Sequence, residues 1–201
     1  MPVHLFGHAA DVVRVLRSLD PDEEDGPRKT VATMPSMFRV AQLVGEALVG
    51  ARHDIMRTLY GTDISTDVSL LLGGRIGDGP LALYLVYSEG NFIECQPDSP
   101  FVQIGELKYG KPILDRALQW DSTLDEAVKV GLISFDSTMR SNLSVGLPFD
   151  LIVIPADRSK PIIRRRILEN DAYFKQLSAD WGRLMNESRQ QIADPPFMSP
   201  Q

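Results

Sequence analysis

Residues 68–95 constrain the fold more than any other stretch. Val68–Leu72 and Leu81–Tyr87 are short apolar runs bounded by glycines, and Ser88-Glu89-Gly90-Asn91 is a tight turn into Phe92–Cys95. Runs of this length with turn residues between them read as strands, and 81–95 as a hairpin. Helical periodicity lies on both sides. Phe38, Val40, Ala41, Leu43, Val44, Ala47 and Leu48 form a wide apolar face in a helix expected from Pro35 toward Tyr60, with Thr33 or Ser36 as its cap. Leu107–Leu118 carries Ile113, Leu114 and Ala117 on one face. Thr123-Leu124-Asp125-Glu126 has the spacing of a capping box, opening a helix toward Asn142 with Leu124, Val128, Leu132, Phe135 and Met139 along its stripe.

The flanks complete the order. Val3–Phe6 reads as the end of a strand that Gly7 breaks, and Val12, Val13, Leu16 and Leu19 place a helix over 9–19. Phe149–Ile154 reads as a strand, and Arg164-Arg165-Arg166 stands at the edge of a last strand or helix. Residues 169–192 form a polar helical tail, and 194–201 fray. Paired helices between blocks of hairpin strands are not the strict alternation of a doubly wound sheet. They predict layered α+β architecture.

Composition narrows the chemistry. At 201 residues, 43 % hydrophobic and 24 % charged, the chain has the make-up of one globular domain. Cys95 is the only cysteine, which excludes an internal disulfide, a CxxC redox pair and a cysteine-rich zinc site. A net charge of −6 argues against nucleic-acid binding. No apolar run reaches the roughly 18 residues of a membrane helix, and the N-terminus has no charged region followed by an apolar one; no membrane partner is expected and the location is read as cytoplasmic.

Motifs exclude further classes. His4, His8 and His53 make no HxxxH or HExxH pair, so neither metal nor cofactor is expected. The glycine-rich run Gly73–Pro80 lacks Gly-Lys-Ser/Thr and precedes a strand, so it reads as a hairpin connection rather than a phosphate loop. The acidic stretch Asp20–Pro27 reads as a solvated connector. No Gly-x-Ser-x-Gly elbow is present. Ser137, Thr138, Ser141 and Ser144 crowd one helix end, and two readings stay open: capping and back-bonding to carbonyls, or a site. Glu106 and Lys108 read as a surface ion pair at a helix start.

Three blocks carry a resemblance. Gly7-His8-Ala9-Ala10-Asp11, followed by an amphipathic helix, resembles the Gly-x-x-Ala-Asp signature of proteasome β-type subunits. Glu89–Glu94 with Ile104–Arg116, and Phe135–Pro148, are similar to the Anbu branch of bacterial proteasome homologues, and the resemblance spans residues 3–155. It implies a four-layer αββα sandwich of the N-terminal-nucleophile hydrolase type, here N-terminally incomplete. Residues 1–168 would form that domain and 169–201 the helical tail. It further implies a homo-oligomer, as a ring or a helical array, acting on peptide or protein substrates. Family chemistry uses an N-terminal threonine whose own amine is the base, tuned by a lysine and an aspartate.

Those three residues precede the Gly-x-x-Ala-Asp turn in the family, and here that turn begins at Gly7. About three strands, some forty residues, are therefore expected to be absent, and no catalytic residue is assigned. Thr30 and Thr33 lie where the family has no nucleophile. The resemblance assigns supporting residues instead: the Gly7 N–H to the oxyanion, and Leu5, Ala9 and Val13 to the substrate pocket. Ser144 matches a serine that helps hold the nucleophile's amine. Ser141 stands where proteasome subunits have aspartate, and Val145 where they have glycine. The expectations are a threonine-type peptidase whose nucleophile lies upstream, an inactive assembly subunit, or, more weakly, a generic binding module.

Overall fold

The computed structural model describes residues 30–58 and 67–198. The elements expected over 3–19, the acidic connector, and Leu5, Gly7, Ala9 and Val13 lie outside the described residues.

Helix α1 spans Met37–Thr58. Of its two candidate caps, Ser36 serves: its Oγ accepts the Arg39 N–H at 3.3 Å. Thr33 instead closes a short 3-10 turn, Val31–Thr33, where its Oγ1 accepts the Thr30 N–H at 2.9 Å. Met37, Val40, Ala41 and Val44 fall at helical spacing and are buried together. They lie on an antiparallel sheet of β1 (Ser69–Gly74), β2 (Ala82–Tyr87) and β3 (Phe92–Glu94), in that order. Central β2 has five of its six residues buried. Its alternation sends Ala82, Tyr84 and Val86 into the α1 core, with Leu83 and Leu85 buried on the opposite face. Register pairs Leu72 with Tyr84 and Tyr84 with Glu94. Phe92 packs edge-on against both Tyr84 (5.6 Å) and Phe38 (5.3 Å).

Two glycines let α1 approach the β2–β3 turn. Gly90 has φ +81°, a conformation that suits glycine, and a Cβ on Gly45 would lie 2.2 Å from the Gly90 carbonyl oxygen. The backbones therefore touch with no side chain between them.

The second half packs differently. Helix α2 (Lys111–Ala117) starts four residues later than its apolar pattern suggests. Gly110 is its N-cap and Pro112 sits in its first turn, where a missing N–H costs nothing. Helix α3 (Leu124–Ser141) opens at the expected capping box: Thr123 Oγ1 accepts the Glu126 N–H at 3.2 Å, and Glu126 Oε2 accepts the Thr123 N–H at 2.8 Å. A Cβ on Gly110 would meet Ser134 Oγ at 2.4 Å and Thr138 Oγ1 at 2.7 Å, so small residues on both sides bring α2 onto α3.

Strands β4 (Phe149–Val153) and β5 (Ile163–Ile167) form an antiparallel pair, Phe149 opposite Ile167. Helix α4 (Ala172–Gln191) comes next, with the Asp171 carboxylate accepting the Phe174 N–H at 2.9 Å. Leu132, Phe149, Ile167, Phe174 and Leu177 are one buried cluster. The Phe149 ring stacks on Phe135 at 4.9 Å and meets Phe174 edge-on at 5.4 Å. The head of the polar tail is thus anchored in a core, while its far end exposes Met185 and Ile192.

The arginine run is a strand, and two of its members are paired: Arg166 with Asp150 across the ladder at 2.9 Å, Arg165 with Asp171 at 3.5 Å. The glycine-rich β1–β2 connection is a hairpin, as expected, with a second use. Arg75 donates to the Pro155 and Ala156 carbonyls at 2.6 and 3.0 Å, and Arg158 donates back to the Gly77 carbonyl at 2.6 Å and pairs with Asp78. These contacts tie the three-stranded sheet to the β4–β5 connection. The architecture is α+β with two small antiparallel sheets.

Candidate functional site

Helix α3 ends where the hydroxyl-rich stretch begins to serve different purposes. Thr138 Oγ1 donates back to the Ser134 carbonyl at 2.9 Å, the local back-bonding open to any threonine in a helix. Asp136, buried on the same helix, accepts from Arg140 at 3.0 Å, and Arg140 reaches Ser178 Oγ of α4 at 2.8 Å. The helix then stops: Asn142 turns extended, with its N–H on the Thr138 carbonyl at 2.8 Å.

Asn142 organises the turn beyond the helix. Its Oδ1 accepts the Ser144 N–H at 2.9 Å and the Ser144 hydroxyl at 2.7 Å, the turn that an Asn side chain makes with the backbone two residues on. Its Nδ2 donates to Glu106 Oε2 at 2.9 Å. Glu106 Oε1 accepts the Lys108 N–H at 2.8 Å, and Gly105 before it has φ +85°. The Lys108 backbone N–H holds the Glu106 carboxyl below the usual carboxylate range, and the Asn142 donor and the Lys108 charge add to the effect. The expected Glu106–Lys108 ion pair is therefore a different interaction: Glu106 takes the Lys108 backbone and spans 36 residues to Asn142.

The two long blocks that carried the resemblance, 104–116 and 135–148, thus meet side chain to side chain. Ser144 enters this network, and Ser141, at the last position of α3, stands beside it; both are exposed. Leu5, Gly7, Ala9 and Val13 lie outside the described residues. Asn142 and Glu106 are the members that sequence reasoning missed. An Asn two residues before a Ser was a usable turn signal, but nothing local marked Glu106 as its partner.

Elsewhere the chemistry is sparse. Among the described residues no cluster of three or more His, Cys, Asp or Glu could hold a metal ion. A cavity of about 1140 Å³ between α3 and the β4–β5 pair is floored by Val128, Leu132, Leu151, Val153 and Ile167; of the charged groups at its rim, Asp171 is already committed to Arg165 and to the Phe174 N–H that it caps. Burial pushes the Cys95 thiol up to about 11, with the Glu94 charge adding, and its Sγ donates to the Ser99 carbonyl at 3.0 Å. That environment suits packing rather than nucleophilic attack. No helix among the described residues is long and apolar enough to cross a membrane.

Comparison with known proteins gives the class. The chain matches no protein-family model and no curated protein. Solved structures do match. Anbu from Hyphomicrobium sp. strain MC1 is 35 % identical with a TM-score of 0.80, covering 97 % of this chain and 86 % of that one. Anbu, the ancestral beta-subunit, from Yersinia bercovieri is 38 % identical with a TM-score of 0.79, covering 96 % and 86 %. The Anbu complex from Pseudomonas aeruginosa, described as a helical assembly, is 33 % identical with a TM-score of 0.79, covering 98 % and 86 %. These likenesses define the class of the ancestral beta-subunits. The chain belongs to the Anbu family.

Proposed function

We propose that this protein is a cytoplasmic, proteasome-like subunit that assembles with copies of itself and serves threonine-type peptide hydrolysis on an αββα sandwich. The likeness to Anbu structures at 33–38 % identity, over 96–98 % of the chain, carries the reading. In this chemistry a threonine hydroxyl adds to the peptide carbonyl while its own α-amine takes the proton; the amine half leaves, and water releases the acyl group. No residue of this chain is assigned as nucleophile, lysine or aspartate.

The assigned roles are supporting ones. The Gly7 N–H donates to the oxyanion, a contribution of about 3–4 kcal/mol in such sites. Leu5, Ala9 and Val13 line the substrate pocket, small Ala9 leaving it open, and Ser144, with Ser141 beside it, faces the nucleophile's amine. The helical assembly described for the Pseudomonas protein supports self-association as the working state.

A second reading, an inactive assembly subunit, is favoured by Ser141 and Val145 standing where proteasome subunits have aspartate and glycine. Intact mass, N-terminal sequencing and sizing of the protein from its native cells, followed by a threonine-reactive covalent inhibitor, separate the two. The peptidase reading expects an N-terminal threonine that takes up one label per subunit. A large oligomer with neither threonine nor label leaves only the assembly reading, and a monomer ends both.

A further inference from the structure

The orientation of the Asn142 amide is set by its neighbours. A carboxylate can only accept and a backbone N–H can only donate, so Nδ2 must face Glu106 and Oδ1 must face Ser144. Glu106, with Oε1 on the Lys108 N–H at 2.8 Å, is an acceptor on both oxygens. Donation therefore runs one way, from Ser144 to Asn142 to Glu106. The single hydroxyl hydrogen of Ser144 is committed to Asn142 at 2.7 Å, and Ser144 Oγ has only lone pairs left for any other group.

We propose that Glu106 is a positioning residue: through Asn142 it fixes the Ser144 hydroxyl as an acceptor, suited to an amine N–H and not to a carbonyl oxygen. The inference rests on the peptidase reading above, in which Ser144 holds the nucleophile's α-amine. A serine free to rotate donates as readily as it accepts. As a donor it would engage the amine's lone pair, the electrons needed to take the threonine proton. As an acceptor it takes an amine N–H and leaves that lone pair turned toward the threonine Oγ. No bond is made or broken by Glu106 itself; its charge sets the direction of two hydrogen bonds.

The direction can be reversed and restored. In Glu106→Gln the introduced amide can accept from only one of its two partners. The Lys108 backbone N–H cannot turn over and the Asn142 amide can, so the oxygen keeps Lys108 and the NH₂ faces Asn142, which turns over and presents NH₂ to Ser144. The Ser144 hydroxyl then accepts, its hydrogen is released toward the amine, and its N–H loses a partner. Adding Asn142→Asp returns an acceptor to Ser144, with the charge moved one residue along the relay.

The experiment uses the full protein as isolated from its cells and these two variants, expressed in the same background. A fluorogenic peptide gives kcat and KM; hydrogen–deuterium exchange of the segment containing Ser144 reads the relay directly. Expected are a fall in kcat of about 10- to 100-fold at nearly constant KM for Glu106→Gln, faster exchange at Ser144, and recovery of both in the double variant. A Glu106→Gln protein with wild-type kcat overturns the proposal. So does a folded double variant no better than the single one. Exchange at Ser144 that ignores Glu106→Gln overturns the relay whether or not peptides are hydrolysed. A wild-type protein that shows the relay but neither hydrolysis nor inhibitor labelling removes the peptidase reading, and with it the amine as Ser144's partner.

Discussion

Replacing Gly45 and Gly50 with alanine, one at a time, separates helix propensity from packing within a single helix. Both lie in α1, where alanine is favoured over glycine by about 1 kcal/mol. A Cβ at Gly50 meets nothing within 4 Å, so Gly50→Ala keeps that gain and stabilises the protein by about 0.5–1 kcal/mol. A Cβ at Gly45 would lie 2.2 Å from the Gly90 carbonyl oxygen, 3.0 Å from its carbon and 3.2 Å from its Cα. Ordinary contact between such atoms is roughly 3.5 Å, so α1 must withdraw by about 1 Å from the β2–β3 turn.

The turn resists moving instead. Its Gly90 N–H is on the Tyr87 carbonyl and its Tyr87 N–H on the Asn91 carbonyl, both at 2.9 Å. Withdrawal loosens the contacts of Val40 and Val44, both fully buried, with the sheet. Overpacking of this kind costs about 2–4 kcal/mol against backbone, leaving Gly45→Ala about 1–3 kcal/mol less stable after the propensity gain. Thermal midpoints at one fixed protein concentration read the result, since assembly also shifts them. For a domain of this size Gly45→Ala lowers the midpoint by about 3–9 °C and Gly50→Ala raises it by about 2 °C. Equal stabilisation by both refutes the close approach of α1 to the turn and the reasoning built on it.

Three other outcomes rest on particular contacts. Thr123→Ala removes the α3 cap and costs about 1 kcal/mol by urea denaturation, with m unchanged. Glu126 is held below the usual carboxylate range chiefly by the Thr123 N–H and hydroxyl. Its folded value therefore lies below its unfolded one, so its contribution is present above the ordinary carboxylate range and is lost as pH falls through the folded value. Thr123→Ala removes the hydroxyl donor and keeps the backbone one, so it flattens that acid limb in part, and an unchanged pH profile contradicts the hydroxyl's share of the linkage. Cys95, pushed up to about 11, is thiolate in only about one molecule in a thousand at pH 8. Native protein should resist iodoacetamide there while urea-unfolded protein reacts, and mass spectrometry of rapid native labelling would contradict this. Arg75→Ala leaves the Pro155 and Ala156 carbonyls without their donor and costs about 1.5–3 kcal/mol in the same urea assay. Arg75→Lys should recover only part of this, because an ammonium lacks the planar fork that serves both carbonyls.

Local rules were enough for most of the described elements. The capping box at Thr123, the α1 stripe through Val40 and Val44, and the Gly90 turn each act within a few residues, and each was legible in the residues alone. The same holds for the hairpin reading of Gly73–Pro80, since a strand and not a helix comes after it. Resemblance added the family, which the solved Anbu structures bear out.

Tertiary structure decided where distant polar groups met. Pro112 and the Gly110 contact with Ser134 and Thr138 set the start of α2, against an apolar pattern that begins at Leu107. Phe174 and Leu177 joined the core of β4 and α3, though the helix around them is mostly polar. Glu106 hydrogen-bonds an amide 36 residues away rather than the neighbouring Lys108 ammonium, and Arg75 found two carbonyls some 80 residues on. Periodicity and caps repeat along the chain and can be counted from it. A long-range hydrogen bond has no period; it exists only because packed backbones bring its two ends within about 3 Å.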